Sequence, residues 1–180
     1  MRVRHPAAAS GKKVVVVVGS GFAGLNAAKE LSHSKDIVVY LIDRRNYHLF
    51  QPLLYQVATA GLNSGDIAAP IRAQFPTSSN VEVHLGQVLA VNLAEKFVKI
   101  AGEGEPSALE IEYDHLVLAC GAQHNYFGHP EWEEFAPGLK TLEQATEIRR
   151  RTLLAFEKAE NTVDTKQQEA LLNFIVVGGG

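Results

Sequence analysis

Three features of the sequence predict an α/β fold built on a buried parallel sheet. Val14 to Val18 is an unbroken β-branched run without polar alternation, as in a strand covered on both faces. It runs directly into Gly19, Gly21 and Gly24, spaced G-x-G-x-x-G. After a segment of helical character, a second apolar run, Ile37 to Ile42, ends on the acid Asp43.

Each part of this first unit has its own physical reason. Gly19 allows a tight turn, Gly21 lets backbone approach a ligand, and Gly24 lets the following helix lie close to the strand. The helix is predicted from about Phe22 to His33, with Ala23, Ala27 and Ala28 beside Leu25 and Leu31. Its N-terminus would aim N–H groups and the positive dipole end at a phosphate. Asp43 lies where a carboxylate can accept hydrogen bonds from an adenosine ribose. Glycines alone are weak, because they punctuate many turns. Strand, glycines, helix, strand and terminal acid in this order predict a dinucleotide site.

The connection RRNYHLFQPLLYQVATAGLNSGD carries Tyr47, Leu49, Phe50, Leu53, Leu54 and Tyr55, too many apolar groups for a solvated loop. They either pack over the sheet as core or line a flat apolar cofactor or acceptor pocket with Gln51 and Gln56 as polar handles, and the two roles are compatible. Arg44 and Arg45 can reach a ribose or phosphate, although adjacent arginines are commonly surface residues. A short helix is expected between Asp66 and Phe75, with Asp66 as N-cap, Pro70 in its first turns and Pro76 after it.

VEVHLGQVLAVN, KFVKI and LEIEY then alternate like a small antiparallel meander, joined by a turn region from Gly102 to Pro106 that holds Glu103 and Glu105. His115 to Ala119 returns to the parallel pattern and runs into Cys120 and Gly121, a second place for close backbone approach. YFGHPEWEEFAPGL reads as a punctuated loop. Thr141 and Gln144 have capping-box spacing and open a helix to about Ala159, with Leu142, Ala145, Ile148, Thr152, Ala155 and Phe156 on one face. Arg149, Arg150 and Arg151 spread around that helix as a solvated face. DTKQQEA reads as a loop. Asn173 to Val177 reads as a last strand, ending in Gly178, Gly179 and Gly180. A strand running into glycines repeats the opening of the first unit. The expectation is therefore a second dinucleotide-binding unit that the chain only begins, as the front part of a longer protein.

Composition narrows the function classes. The chain has 180 residues, 46% hydrophobic and 21% charged, enough for one substantial core. A net charge of −3 provides no basic footprint for nucleic acid. No apolar stretch approaches the roughly 20 residues needed to span a bilayer. The basic, small-residue-rich start MRVRHPAAASGKK is read as a solvated tail in preference to a transit peptide. The one cysteine, Cys120, leaves no intrachain disulfide, fits a reducing compartment and reads as a small buried residue. Cys120, His124 and His129 are too few for a metal site and the loop accounts for them, so no metal is expected.

The order of the elements resembles the flavoproteins with two dinucleotide-binding domains. DRRNYHLFQPLLYQVATAGL and YDHLVLACGAQHNYFGHPEWEEFAPGLKTLEQATEIRR look closest, within that group, to the type II NADH:quinone oxidoreductases. The likeness runs from about Lys13 to Gly180. It implies a Rossmann-like FAD-binding domain over residues 13–172 with a parallel sheet and an inserted antiparallel meander, after a flexible tail of residues 1–12. Residues 173–180 would begin the NADH-binding domain. By position, Gly19, Ser20, Gly21, Phe22, Ala23 and Gly24 would hold the FAD pyrophosphate and Asp43 its ribose. Arg44 and Gln51, Pro52 and Leu53 would lie near the cofactor, Val88 on the adenine side, and Ala119, Cys120 and Gly121 on the other flank. Gly178 would open the nicotinamide site. No catalytic residue is named by these positions.

The resemblance also implies NADH as donor, a quinone as acceptor and attachment to a membrane surface through a C-terminal region. The expected place is the cytoplasmic face of a bacterial inner membrane, or alternatively a mitochondrial inner membrane, with room for a homodimer. No cysteine lies between Asp43 and Pro76, which disfavours disulfide reduction. Two rival readings keep the same fold: a flavin reductase for a ferredoxin-like protein acceptor, and a non-catalytic redox-sensing dinucleotide module.

Overall fold

The computed structural model describes residues 2–3, 11–101 and 108–178. Strand β1 (Arg2–Val3) precedes β2 (Lys13–Val18), helix α1 (Phe22–Leu31) and β3 (Ile37–Asp43). Next come β4 (Tyr47–Leu49), the short helix α2 (Leu54–Ala58), β5 (Ala68–Pro70), β6 (Val81–Leu85), β7 (Gln87–Asn92), β8 (Phe97–Ala101), β9 (Leu109–Glu112) and β10 (His115–Leu118). Helices α3 (Leu142–Glu160) and α4 (Thr165–Leu171) follow.

The chain divides into two compact units, Met1–Leu49 with Ala68–Ala122, and Phe50–Ile67 with Gln123–Gly180. In the first, β10, β2, β3 and β6 form a parallel sheet in that order. Because successive side chains alternate between faces, the valine run feeds two cores at once. Val14, Val16 and Val18, with Val38, Tyr40 and Ile42, meet Val98, Ile100 and Ile111 of the meander. Val15, Val17, Val39 and Leu41 meet Ala28 of α1 and Ile71 on the opposite face. The sheet is thus a middle layer, and burial on both sides explains the unbroken apolar run from Val14 to Val18. In the second unit α2 packs on α3, with Leu54, Val57, Ala58 and Ala145 buried.

Several sequence expectations are corrected. The helix expected from Asp66 to Phe75 is replaced by two 3-10 turns, Ser64–Ile67 and Arg72–Gln74, flanking β5. Pro70 cannot donate within a helix, and it pairs antiparallel with Tyr47. Val81–Leu85, assigned to the meander, belongs to the parallel sheet, with Val81 opposite Val39. It is an edge strand of that sheet, so its alternation reflects half-exposure and says nothing of direction. The meander proper is β7, β8 and β9, and β1 adds to it in parallel through Arg2 opposite Glu110, where a solvated tail was expected.

DTKQQEA is helical, because Asp164 Oδ1 accepts from the backbone N–H of Lys166 and Gln167. Asn173 to Val177 forms no strand: none of the described residues pairs with it, and Ile175, Val176 and Val177 are more than four-fifths exposed. Helix α3 starts as expected, Thr141 Oγ1 accepting from Gln144 N at 3.2 Å, while Gln144 Oε1 takes Lys140 N instead of closing the box on Thr141. Its apolar face is only partly covered, with Ala145 buried and Phe156 exposed. Cys120 is exposed, since it stands beyond the end of β10. The turn from Gly102 to Pro106, with Glu103 and Glu105, and the pair Gly179 and Gly180 lie outside the described residues.

Candidate functional site: a glycine loop at the carboxyl end of the sheet

Strands β2, β3 and β10 end together, and the candidate site is built on their last residues. Gly19 has φ +98°, and a Cβ there would run into the Ala119 carbonyl. A Cβ on Gly24 would overlap the Gly19 carbonyl, and Ala119 Cβ would lie 3.2 Å away. These two glycines are therefore demanded by the fold itself. They let the loop, α1 and the end of β10 close on one another.

Gly21 differs in kind. It is the N-cap of α1, with φ −66° and ψ −167°, and a Cβ would meet nothing within 4 Å. No side chain caps α1 and its first turn contains no acid. Gly21, Phe22 and Ala23 are exposed, whereas Ser20 and Gly24 on either side are buried. The first-turn N–H groups of a helix have no intrahelical acceptor, so this open end carries donors and positive potential toward solvent. Gly21 keeps that approach clear of a side chain, as a pyrophosphate cradle requires.

Asp43 is tied directly to this loop. Its Oδ2 accepts the Ser20 backbone N–H at 2.6 Å and the Ser20 hydroxyl at 2.8 Å, and its Oδ1 accepts Arg45 N–H at 2.8 Å. Beyond β3, Gly86 N–H bonds the Asp43 carbonyl at 2.8 Å, and a Cβ on Gly86 would strike Ile100 Cγ2 at 2.6 Å. His48 of β4 lies with Nδ1 2.8 Å from the Ser20 carbonyl oxygen and its ring edge-on to Phe22, centroids 5.2 Å apart.

The remaining expected positions are distributed over both units. Arg44 is exposed beside Asp43. Val88 lies in β7 opposite Ile100 and packs on the core beneath the sheet. Ala119 N–H bonds the Val18 carbonyl at 2.8 Å, and Gly121 has φ +72°. Gln51, Pro52 and Leu53 form a 3-10 turn in the second unit, Gln51 Nε2 reaching the Lys140 carbonyl at 3.4 Å. Gly178, also there, has φ +80° with open space around it. In the aromatic connection, Leu54 and Val57 are core while Phe50 and Tyr55 are exposed. Among the described residues no group of three or more His, Cys, Asp or Glu side chains is placed to hold a metal.

Sequence reasoning passed over His48 and Gly86. Neither carries a local signature. His48 becomes relevant only because the pairing of β4 with β5 holds it beside Ser20, 28 positions away.

Parallel strands, a glycine turn open at a helix N-terminus and an acid closing the second strand define a dinucleotide-binding α/β protein. The chain belongs to the pyridine nucleotide-disulphide oxidoreductase family, whose model matches residues 13–180. It is 46% identical over 176 residues to the type II NADH:quinone oxidoreductase NdhA of Mycobacterium tuberculosis, covering 98% of this chain and 37% of that protein. It is 33% identical to the external alternative NAD(P)H-ubiquinone oxidoreductase B2, mitochondrial, of Arabidopsis thaliana, covering 94% of this chain and 30% of that one. NDH2 from Plasmodium falciparum, solved in complex with RYL-552, superposes with a TM-score of 0.78 at 24% identity over 88% of this chain and 32% of its own, a likeness of fold. The chain thus spans about a third of the length of these relatives. The family's name includes disulphide chemistry, yet these 180 residues contain a single cysteine.

Proposed function

We propose that this chain is the FAD-binding part of a flavoenzyme that passes electrons from NADH to a membrane quinone. The observation that carries the reading is the open, uncapped start of α1 at Gly21, in a chain 46% identical to a type II NADH:quinone oxidoreductase along nearly its whole length. The flavin would supply the redox chemistry, accepting hydride on one side and donating to the quinone on the other. The residues of this chain bind and orient it. Within the Gly19 to Gly24 loop, the Gly19 and Ser20 N–H groups are held by the Ile42 carbonyl and Asp43. The donors at the open helix start, Gly21 to Gly24, would therefore take the pyrophosphate, and Asp43 would add an adenosine ribose hydroxyl to the lone pairs it has left. Arg44, the Gln51 to Leu53 turn, Val88 and the Ala119 to Gly121 segment are assigned to the cofactor's flanks, and Gly178 to the start of the NADH site.

Peripheral attachment to the cytoplasmic face of a bacterial inner membrane and a homodimer belong to the same proposal. Among the described residues no helix is long and apolar enough to cross a membrane. The type II oxidoreductase NdhA is bacterial and the Arabidopsis relative is named mitochondrial, so both settings occur among relatives.

The test is spectroscopic. Protein carrying this chain, purified with its flavin, is expected to bleach rapidly on NADH addition and to recover its colour with a soluble quinone. Bound flavin that NADH never reduces would overturn the enzyme reading in favour of a sensing module. Reoxidation by a ferredoxin-like protein and not by quinone would reassign the acceptor.

A further inference from the structure

Building on the reading that the glycine loop receives the FAD pyrophosphate, we propose that His48 is a positioning residue of that loop. It sets the direction of the Gly21 N–H by holding the Ser20 carbonyl.

Ser20 is flanked by two peptide planes. The plane before it is anchored by Asp43, whose Oδ2 takes the Ser20 N–H and Oγ. The plane after it turns about ψ of Ser20, and the other oxygen of Asp43 accepts Arg45 N–H. The contact on the second plane comes from His48, Nδ1 standing 2.8 Å from the Ser20 carbonyl oxygen. A carbonyl oxygen only accepts, so Nδ1 carries the hydrogen, and in the neutral ring Nε2 carries none.

In a trans peptide the N–H points opposite to the carbonyl, and the described residues contain no cis bond. A carbonyl drawn toward His48 therefore turns the Gly21 N–H away from the ring. The Gly21 carbonyl accepts Leu25 N–H at 2.9 Å, which anchors the plane after Gly21, while the plane before it gains no side-chain packing from a residue with open space where a Cβ would stand. His48 is itself fixed from two directions: β4 pairs it opposite Ala69, and Phe22 meets its ring edge-on at 89°. Phe22 is the first residue of α1, so the ring braces the loop on both sides of Gly21. A donor held in its binding orientation loses less entropy when the ligand arrives, which is how a residue without ligand contact raises affinity.

Two substitutions separate the donor from the ring. His48→Phe keeps a ring against Phe22 and removes the donor. His48→Asn removes the ring but places an amide N–H at the position of Nδ1. The loss of one such hydrogen bond is expected to weaken FAD binding about tenfold in His48→Phe, and His48→Asn is expected to stay within about threefold of the parent. Titration of the full-chain apoprotein with FAD, followed by quenching of flavin fluorescence, reads both, with circular dichroism confirming that each variant is folded. In the parent protein without flavin, long-range proton–nitrogen correlation of the His48 ring is expected to show the hydrogen on Nδ1.

An unchanged affinity in folded His48→Phe, a folded His48→Asn as weak as His48→Phe, or a ring with no hydrogen on Nδ1 would each overturn the assignment. If neither variant folds, the ring signal of the parent decides it. A parent protein that shows the Nδ1 hydrogen but takes up no FAD overturns the cofactor reading beneath it and leaves the His48 contact established.

Discussion

One carboxylate oxygen of Asp43 accepts both the backbone N–H and the hydroxyl of Ser20, at 2.6 and 2.8 Å. The acid expected to meet a ribose is thus also the tie between the end of β3 and the glycine loop. Asp43→Ala would leave the buried Ser20 donors without their acceptor, at a cost of about 2–3 kcal/mol in folding stability. FAD affinity should fall with it, by about tenfold or more. Ser20→Ala removes only the hydroxyl and should cost about 1 kcal/mol. Denaturant titration of both variants gives the stabilities, and unchanged flavin occupancy in Asp43→Ala would remove the aspartate from the cofactor site.

Gly21 and Gly24 should respond oppositely to alanine. Gly24→Ala pushes a methyl into the Gly19 carbonyl, so a loss of about 2 kcal/mol or more is expected from overpacking. Gly21→Ala meets open space at a φ of −66° that any residue adopts. Its apoprotein should keep its stability within about 0.5 kcal/mol, or gain slightly through a less flexible unfolded chain. Its FAD affinity should nevertheless drop, because the methyl occupies the approach to the helix end. Thermal melts of the two apoproteins beside FAD titrations distinguish a packing glycine from a binding one.

Glu147 predicts an acid-sensitive helix. Its carboxylate accepts from Arg150 Nε and Nη2 at 2.7 and 2.8 Å and from Arg151 Nε at 2.7 Å. Hydrogen bonds from Arg150, then Arg151, lower its pKa from 4.5 to about 2. A depressed folded pKa means stability that is complete above the ordinary glutamate value and lost as pH falls toward the folded one. The contribution should therefore decay between pH 4.5 and about 2. The carboxylate is partly exposed and screened by salt, so the effect is modest. Glu147→Gln should flatten the pH dependence of stability across that window in low-salt melts. Equal slopes in parent and variant would show that the triad contributes nothing.

Asp114 holds the other end of the sheet. Its carboxylate takes Val14 N–H at 2.8 Å and Lys13 Nζ at 2.9 Å, and its pKa is lowered first by the Val14 backbone bond and then by Lys13. This stability is present above the ordinary aspartate value and is lost as pH falls below it. Asp114→Ala strands a donor at the start of the buried β2 and should cost about 1–3 kcal/mol. Lys13→Ala, removing only an exposed partner, should cost under about 1 kcal/mol. Chemical denaturation of the pair orders the two contacts.

The glycine unit was readable because its constraints are local. A strand covered on both faces needs an apolar run, and close packing of Gly24 on Gly19 admits no side chain. Capping was readable at Thr141 for the same reason, and equally available at Asp164, where the polar composition of DTKQQEA obscured it. Val81–Leu85 was misassigned because alternation records exposure and not strand direction. The expected helix from Asp66 to Phe75 failed because Tyr47 supplied Pro70 with a strand partner, and no window around Pro70 contains Tyr47.

The sequence by itself determined the parallel core, the glycine turn and the acid that follows it, since each depends on neighbours within a few residues or on a repeated burial pattern. Only the tertiary structure decided what those groups touch. It placed Ala119 against Gly19, put both Ser20 donors on Asp43 and brought His48 to the Ser20 carbonyl. Hydrogen bonds between residues 23 and 28 positions apart depend on strand register and on where three strands end, and those are fixed by packing the whole unit and by no single stretch of chain.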